Sequence, residues 1–297
     1  MSEDSATKNL SQRSLAWGLD LLVPEVTTQE EIDEYRATSS LKFGMGQPGL
    51  EFWLDQKPEV LKRYRLWADT LRVREGNDSA DTWIPQGTAI FIIYAATGYD
   101  EGIRYAIHLG QRIATKDQIL EQLALASRYS APRGMAAIAD ACVDFPWAEP
   151  TAQLSWPEGW APDPEAFKSG VDFSSREVTP QEIRLILDWW ERWIGEVPEH
   201  IEFLARYRPE LLKAQRSWYE NSLKLLPKQT EPYTLLTISI TRGSAGGIRE
   251  GLLLGRAFGI SKPRILDAIS WGTFYGGTDS LTLLNQVGRD ILDTWPE

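Results

Sequence analysis

The sequence is poor in the side chains that form disulfides and bind transition metals. It has one cysteine, Cys142, and two histidines, His108 and His200. A single cysteine excludes an internal disulfide and every Cys-x-x-Cys redox or zinc motif, and two histidines argue against a multi-histidine metal centre. We therefore expect no metal and no cofactor. A thiol peroxidase would have to act through Cys142 alone, without a second thiol.

Positive charge and long apolar runs are also scarce. The chain has 31 Lys and Arg against 42 Asp and Glu, a net charge of −11. This charge repels phosphate, so we expect no nucleic acid and no membrane among the partners. No apolar run reaches the roughly 18 residues of a membrane helix. The N-terminus lacks the basic and apolar segments of a secretion signal, so the cytoplasm is the expected location.

The remaining composition is that of a globular protein. Hydrophobic residues make up 42% of the 297 positions, and charged residues make up 25%, which argues against disorder. The length is sufficient for one large domain or two ordinary domains with a sizeable core. Thirteen tryptophans predict large rings in that core and around a pocket.

The chain contains an internal repeat. Four pairs of similar segments occur in the same order: VTTQEEI with VTPQEI, EFWLDQKPEVLKRYRLW with EFLARYRPELLKAQRSW, GIRYAIHLG with GIREGLLLG, and ILEQLALASRYSAP with ILDAISWGTFYGGT. We interpret residues 1–145 as one repeat with an N-terminal extension, and residues 178–297 as a second repeat. The segment 146–177 is rich in Pro and Trp, has no helical period, and is expected to be a linker that packs on the rest.

Both repeats are predicted to be helical. Thr179 to Glu182 has the pattern of a capping box with Pro at the first helical position, and an apolar face follows at helical spacing. Thr115 to Gln118 opens a second helix in the same way. The β-branched run 234–241 could be a strand, but it lies between helices and lacks hairpin turns. The sequence predicts an all-α fold of two similar helical units related by a pseudo-two-fold axis.

One helix of the first repeat carries a polar stripe. Glu101, Arg104 and His108 follow the spacing i, i+3, i+7, which places their side chains on one face. An Arg can bind a carboxylate through two hydrogen bonds, a His can transfer protons near neutral pH, and a Glu beside apolar walls can act as an acid. These three residues are the predicted catalytic group, with Arg104 also binding the substrate.

The repeat and the stripe together resemble the AhpD-like superfamily, which includes carboxymuconolactone decarboxylases. The segment EGIRYAIHLGQRIATKDQILEQLALASRYSAP resembles the central helix, turn and following helix of that family. The peroxidase branch has Cys-x-x-Cys-x-x-x-His there, and Glu101 and Arg104 occupy its two cysteine positions. The motif of the decarboxylase branch looks like Glu-x-x-Arg-x-His. Glu101 and Arg104 match its first two residues, but its His would fall on Ala106, two residues before His108. The resemblance implies two fused family domains without the dithiol chemistry.

The resemblance also implies an activity. We expect a cofactor-independent lyase, most simply a decarboxylase, that acts on a small anionic molecule, either carboxylated or lactone-like, with the site in the first repeat. Tyr105, Tyr129, Arg133 and Arg249 are further predicted substrate-binding residues. A homo-oligomer is expected. The alternative is a non-catalytic ligand-binding or assembly protein that kept the fold.

Several of the predicted site residues also have a structural interpretation. Glu101 and Arg104 could form an ordinary surface ion pair. His108 could be an imidazole of the core or of an interface. Arg249 occupies the position in the second repeat that Arg104 occupies in the first, and a buried Arg is usually paired, so Arg249 could tie neighbouring helices together.

Overall fold

The computed structural model describes residues 19–20, 27–43, 48–70, 83–152, 154 and 156–296. Within these residues the regular structure is all-helical, which confirms the predicted all-α class. The chain divides into two compact units, residues 1–72 and 73–297. None of the described helices is long and apolar enough to span a membrane. The predicted repeat boundaries stay a prediction.

The first unit contains three described helices: α1 (Gln29–Phe43), α2 (Pro48–Gln56) and α3 (Pro58–Thr70). Thr28 caps α1, because its hydroxyl accepts a hydrogen bond from the backbone N–H of Glu31 at 3.2 Å. The Glu31 carboxylate in turn accepts a bond from the backbone N–H of Thr28 and pairs with the fully buried Lys62 at 2.7 Å. Apolar side chains, among them Leu54 and Leu61, form the core of this unit.

The second unit contains ten described α-helices. They are α4 (Trp83–Thr97), α5 (Asp100–Gly110), α6 (Lys116–Cys142), α7 (Pro180–Ile194), α8 (Glu199–Tyr207), α9 (Pro209–Asn221), α10 (Thr230–Arg242), α11 (Ala245–Ala257), α12 (Lys262–Gly276) and α13 (Asp279–Asp293). The run 234–241 lies in α10, so its predicted helical state is confirmed. The helices α4, α5 and α6 all pack on one another. The helix α10 packs on both α11 and α12, and α4 packs against α10.

Two predicted helix starts are confirmed by their capping geometry. Thr115 and Gln118 form a capping box at the start of α6, and Thr179 and Glu182 form one at the start of α7. Glu182 also pairs with the buried Lys213 at 2.6 Å. The capping-box sequence is a strong predictor of a helix start because its side chains bond backbone N–H groups that would otherwise have no partner there.

The backbone of α6 bends sharply at Ala131. This residue has φ 58° and ψ −165°, a conformation that L-amino acids other than glycine rarely adopt. Pro132 follows it and cannot donate a backbone hydrogen bond to the preceding turn. The bend divides α6 into two helical segments.

The segment 146–177 is mostly irregular in its described part and packs on the helices. It contains one short 3-10 helix, Pro164–Phe167. Trp160 is buried with its ring centroid 6.4 Å from that of Tyr233, and Phe167 is buried against Tyr219 and Phe258. Its aromatic side chains therefore belong to the core of the second unit.

Candidate functional site

A cleft of about 930 Å³ lies among the helices of the second unit. Its walls are mainly apolar and aromatic, and its polar lining groups come from α6 to α11. The lining side chains that matter for chemistry are Arg128, Tyr129, Trp190, Glu196, His200, Trp218, Tyr219, Ser239, Arg242, Arg249 and Glu250. A cleft of this size and lining is typical of small-molecule sites.

A buried ion pair closes one side of the cleft. Arg128 of α6 donates a hydrogen bond to Glu231 of α10, and the Tyr129 hydroxyl donates to the same carboxylate oxygen. The Arg128 guanidinium also lies 4.6 Å from the ring centroid of Tyr219. Burial alone would lower the pKa of Arg128, but the adjacent Glu231 carboxylate raises it above its ordinary value. Arg128 is therefore always charged, and its charge is balanced within the protein.

Glu250 of α11 is the most unusual ionisable group of the cleft. Its side chain is only 8% exposed, and its carboxyl forms no hydrogen bond within the described residues. Burial, together with the neighbouring Glu231 carboxylate, raises its pKa from 4.5 to about 8, although Arg128 opposes this shift. Near neutral pH this side chain is therefore mostly a neutral carboxylic acid that faces a cleft.

His200 stands beside Glu250 at the mouth of the cleft. The His200 Nδ1 atom lies 3.7 Å from a Glu250 carboxyl oxygen, and about half of the imidazole is exposed. Partial burial lowers the pKa of His200. With a neutral imidazole beside a neutral carboxylic acid, the two groups are not an ion pair near neutral pH, and either could exchange a proton with a bound molecule.

Two of the predicted site residues line the cleft. Tyr129 reaches Glu231, and burial raises the pKa of its hydroxyl well above 10. Arg249 makes two parallel bonds to Glu196, at 2.8 and 2.9 Å, and the hydrogen bonds to Glu196 raise its pKa. Arg249 thus has the structural role that the sequence left open, and its charge is already balanced.

The predicted stripe on α5 lies apart from the residues that line the cleft. Glu101 is exposed. Arg104 donates a hydrogen bond to the backbone oxygen of Asp140 at 3.1 Å and lies 6.0 Å from the ring centroid of Phe145, so it ties α5 to the end of α6. Partial burial, and then Arg112, lower the pKa of His108. The structure assigns no common partner to these three side chains.

The two remaining predicted residues also lie outside the cleft lining. Tyr105 is half-buried on α5. Arg133 is exposed and packs over Gly98, because a Cβ atom at Gly98 would lie 2.5 Å from Arg133 Nε. Cys142 is half-buried, and burial raises the pKa of its thiol, which disfavours the thiolate that a peroxidase would need. Among the described residues no cluster of His, Cys, Asp or Glu side chains could hold a metal ion.

The sequence did not point to Arg128, Glu231 or Glu250 as site residues. A signal was present for Glu250, since GIREGLLLG places one acidic side chain directly before an uninterrupted apolar run. Arg128 and Glu231 gave less indication, because each becomes a buried charge only through contacts with helices about 100 residues away.

No protein-family model matches the chain, and no curated protein or solved structure matches it either. The function is therefore inferred from the geometry of the cleft.

Proposed function

We propose that the cleft binds a small organic molecule and that Glu250 donates a proton to it in a cofactor-independent acid–base reaction. The supporting observation is a carboxyl group that is more than nine-tenths buried, lines a cleft and has no hydrogen-bond partner among the described residues. A general acid must be protonated at the working pH, and burial keeps Glu250 in that state.

The simplest reaction of this kind is decarboxylation of a small carboxylated or lactone-like molecule. The bond between the carboxylate carbon and the substrate breaks, carbon dioxide leaves, and the electron pair stays on the substrate as an enolate. Glu250 then gives its proton to the substrate carbon, and the Glu250 carboxylate regains a proton from solvent at the cleft mouth, with His200 as the nearest relay. Atoms and charge balance without any added cofactor.

We further propose that the chain is a tandem duplication. Each of α7, α8 and α9 begins and ends 151 residues after its counterpart among α1, α2 and α3, for example 29 to 180 and 43 to 194. The capping-box carboxylate pairs with a buried Lys in both sets, Glu31 with Lys62 and Glu182 with Lys213. The 151-residue shift relates these pairs as well, because 31 becomes 182 and 62 becomes 213.

Contacts within the second unit support a two-fold relation between the repeats. In the proposed duplication α4 corresponds to α10, and the first part of α6 corresponds to α12. The helix α6 packs on α10, α12 packs on α4, and α4 packs on α10, so the contacts remain the same when the two repeats are exchanged. The likeness to the AhpD-like superfamily stays part of this proposal.

The duplication explains why one cleft needs both repeats. Glu231 and Glu250 belong to the second repeat, whereas Arg128 and Tyr129 come from α6 of the first. The acidic group of the cleft therefore lies in the second repeat rather than on the predicted stripe of the first. The position of Glu250 is occupied by Tyr105 in the first repeat, so the first repeat offers no equivalent acid at that position.

The experiment is a screen of small mono- and dicarboxylates by calorimetry, followed by assays of carbon dioxide release for those that bind. We expect Glu250→Gln to retain binding and to lower kcat by about 10²- to 10⁴-fold, because the amide has nearly the same shape but cannot give up the proton. Arg104→Ala is the matched control. If Arg104→Ala abolishes turnover and Glu250→Gln does not, the stripe on α5 is the site and the proposal is wrong.

The alternative function is assembly without catalysis. Exposed apolar side chains extend along α8, α9 and the turn that follows: Phe203, Tyr207, Leu211, Trp218 and Leu225. Such a surface supports the proposal of a homo-oligomer. Sedimentation of the wild type and a Phe203→Glu variant tests it, and a wild type that stays monomeric at high concentration would refute it. If none of the carboxylates turns over while the oligomer forms, assembly is the better description. The cytoplasmic location stays part of the proposal.

A further inference from the structure

The first turn of α11 borders the same cleft and has an unusual neighbour. Ser244 is the N-cap of α11, and Gly246 and Gly247 line the cleft beside it. Space is open around Gly246, where a side chain would meet no atom within 4 Å. Ser244 Oγ already accepts a hydrogen bond from the Gly247 N–H at 3.4 Å, so the backbone N–H groups of Ala245 and Gly246 and the positive end of the helix dipole are what this turn presents to the cleft.

Ser239 of α10 points a hydroxyl group at this turn. A Cβ atom on Gly247 would lie only 2.2 Å from Ser239 Oγ, so the hydroxyl sits directly over the glycine. The residue is 4% exposed and lines the cleft, yet its hydroxyl forms no hydrogen bond within the described residues. On the same helix the buried hydroxyls of Thr234 and Thr237 each donate to a backbone oxygen one turn back, whereas the buried hydroxyl of Thr230 has no partner among the described residues and does not line the cleft. Because it has no partner in the described part of the protein and lines the cleft, the Ser239 hydroxyl can donate to an acceptor bound there.

Arg242 adds a positive charge at the same place. It ends α10 just before Ser244, and its Nη1 donates to the backbone oxygen of Tyr129 at 2.7 Å, which holds the guanidinium at the cleft. Unlike Arg128 and Arg249, it forms no ion pair within the described residues. Its remaining N–H groups can donate to a ligand.

The acidic groups around this turn do not cancel the positive charge. Glu196 is paired with Arg249, and Glu231 is paired with Arg128. Glu199 is exposed at the cleft edge. Glu250 lies one and a half turns further along α11.

We infer that the first turn of α11, the Ser239 hydroxyl and the Arg242 guanidinium form a subsite for an oxyanion of the ligand, either a carboxylate or a phosphate. The backbone N–H groups and the Ser239 hydroxyl donate hydrogen bonds to the oxyanion, and Arg242 supplies the opposite charge. This inference depends on the proposed function for its choice of cleft. It adds the position at which the anionic group binds, a role that the sequence had given to Arg104.

The probes are benzoate, phenyl phosphate and benzamide, an uncharged molecule with nearly the shape of benzoate. Binding is followed by calorimetry and by the fluorescence of the tryptophans that line the cleft. We expect at least one of the two anions to bind about tenfold more tightly than benzamide. The anion that binds more tightly shows whether the subsite prefers a carboxylate or a phosphate. Arg242→Gln and Ser239→Ala should each remove most of that preference. Arg104→Gln and Ser270→Ala are the controls and should keep it, since Ser270 already donates to Leu266 O and lies outside the cleft lining.

Stability separates a ligand role from a structural one. Because the Ser239 hydroxyl has no partner in the structure, Ser239→Ala should not lower the melting temperature. If Ser239→Ala lowers the melting temperature and leaves anion affinity unchanged, the hydroxyl is structural and the inference is wrong. Equal affinity for benzoate, phenyl phosphate and benzamide, or no binding of any probe up to about 10 mM, also overturns it.

Failure of the subsite and failure of the proposed reaction can be told apart. Glu250→Gln should retain the preference for anions, because the amide leaves the α11 turn intact. If anion binding depends on Arg242 and Ser239 but none of the carboxylates turns over, the subsite stands and the proposed reaction falls. If turnover depends on Glu250 while the Arg242 and Ser239 variants bind and react as the wild type does, the reaction stands and the subsite falls.

Discussion

The buried carboxyl of Glu250 should make the stability of the protein depend on pH in a defined direction. In the unfolded chain the group loses its proton at about pH 4.5, whereas in the folded protein it keeps the proton up to about pH 8. Its folded pKa is raised, so the stability associated with the protonated group is complete below pH 4.5. That stability is lost as the pH rises towards 8. Glu250→Gln removes this titration while keeping the size and polarity of the side chain.

The magnitude follows from the width of the pH window. Each pH unit between the two pKa values changes the free energy of unfolding by about 1.4 kcal/mol. Between pH 5 and pH 8 the wild type should therefore lose about 3 kcal/mol relative to Glu250→Gln, an upper bound because the cleft admits water. This is a large share of the 5–15 kcal/mol that stabilises a typical domain. The two proteins should have similar stabilities at pH 5, and the variant should be the more stable at pH 8.

The measurement is a series of urea titrations at pH 5, 6, 7 and 8 on the wild type and on Glu250→Gln. Glu199→Gln is the matched control, because Glu199 lines the same cleft but is exposed. Its difference from the wild type should not change with pH. If the unfolding free energies of Glu250→Gln and the wild type change in parallel with pH, the assignment of Glu250 as a neutral acid is refuted. The same holds if the variant becomes less stable relative to the wild type as the pH rises.

Three further predictions concern the stability of the second unit. Arg128→Met should cost about 3–5 kcal/mol of unfolding free energy in urea titrations, because it leaves the buried Glu231 carboxylate without its positive partner, and adding Glu231→Gln should restore part of the loss. Glu121 accepts hydrogen bonds from the backbone N–H groups of residues 224, 225 and 226 at 2.8–2.9 Å. Glu121→Ala should therefore lower the free energy of unfolding by about 2 kcal/mol and Glu121→Gln by clearly less, and equal losses would contradict this. Ala131→Gly should stabilise the protein by about 1 kcal/mol, since glycine adopts φ 58° without strain, and a lower melting temperature would refute it.

The helical elements could be predicted because their signals are local. The Thr179 capping box and the apolar face that follows lie within a few residues of each other, and the structure places α7 where they predict it. The all-α class followed from several such segments. The run 234–241 was ambiguous by composition, and its helical state was settled by its neighbours rather than by its own β-branched residues.

The chemistry of the cleft could not be predicted in the same way. A stripe on one helix shows which side chains share a face, but it does not show what that face contacts. Arg104 donates to a backbone oxygen outside the cleft, whereas Glu250 on α11 lines the cleft. The raised pKa of Glu250 arises from burial and from Glu231 on another helix. Only the tertiary contacts bring these groups together.

The contacts that form the cleft join distant parts of the chain, and this determines the order in which the protein can fold. The bond from Arg128 to Glu231 spans 103 residues, and the bond from Arg242 to Tyr129 spans 113. Closing such long loops is slow compared with forming a helix. On the ribosome, α6 is complete well before α10 exists, so α6 can pack on α4 and α5 at once, whereas Arg128 must remain hydrated until α10 arrives. The cleft exists only after residue 250 has emerged, so a chain shortened before that point would have no site.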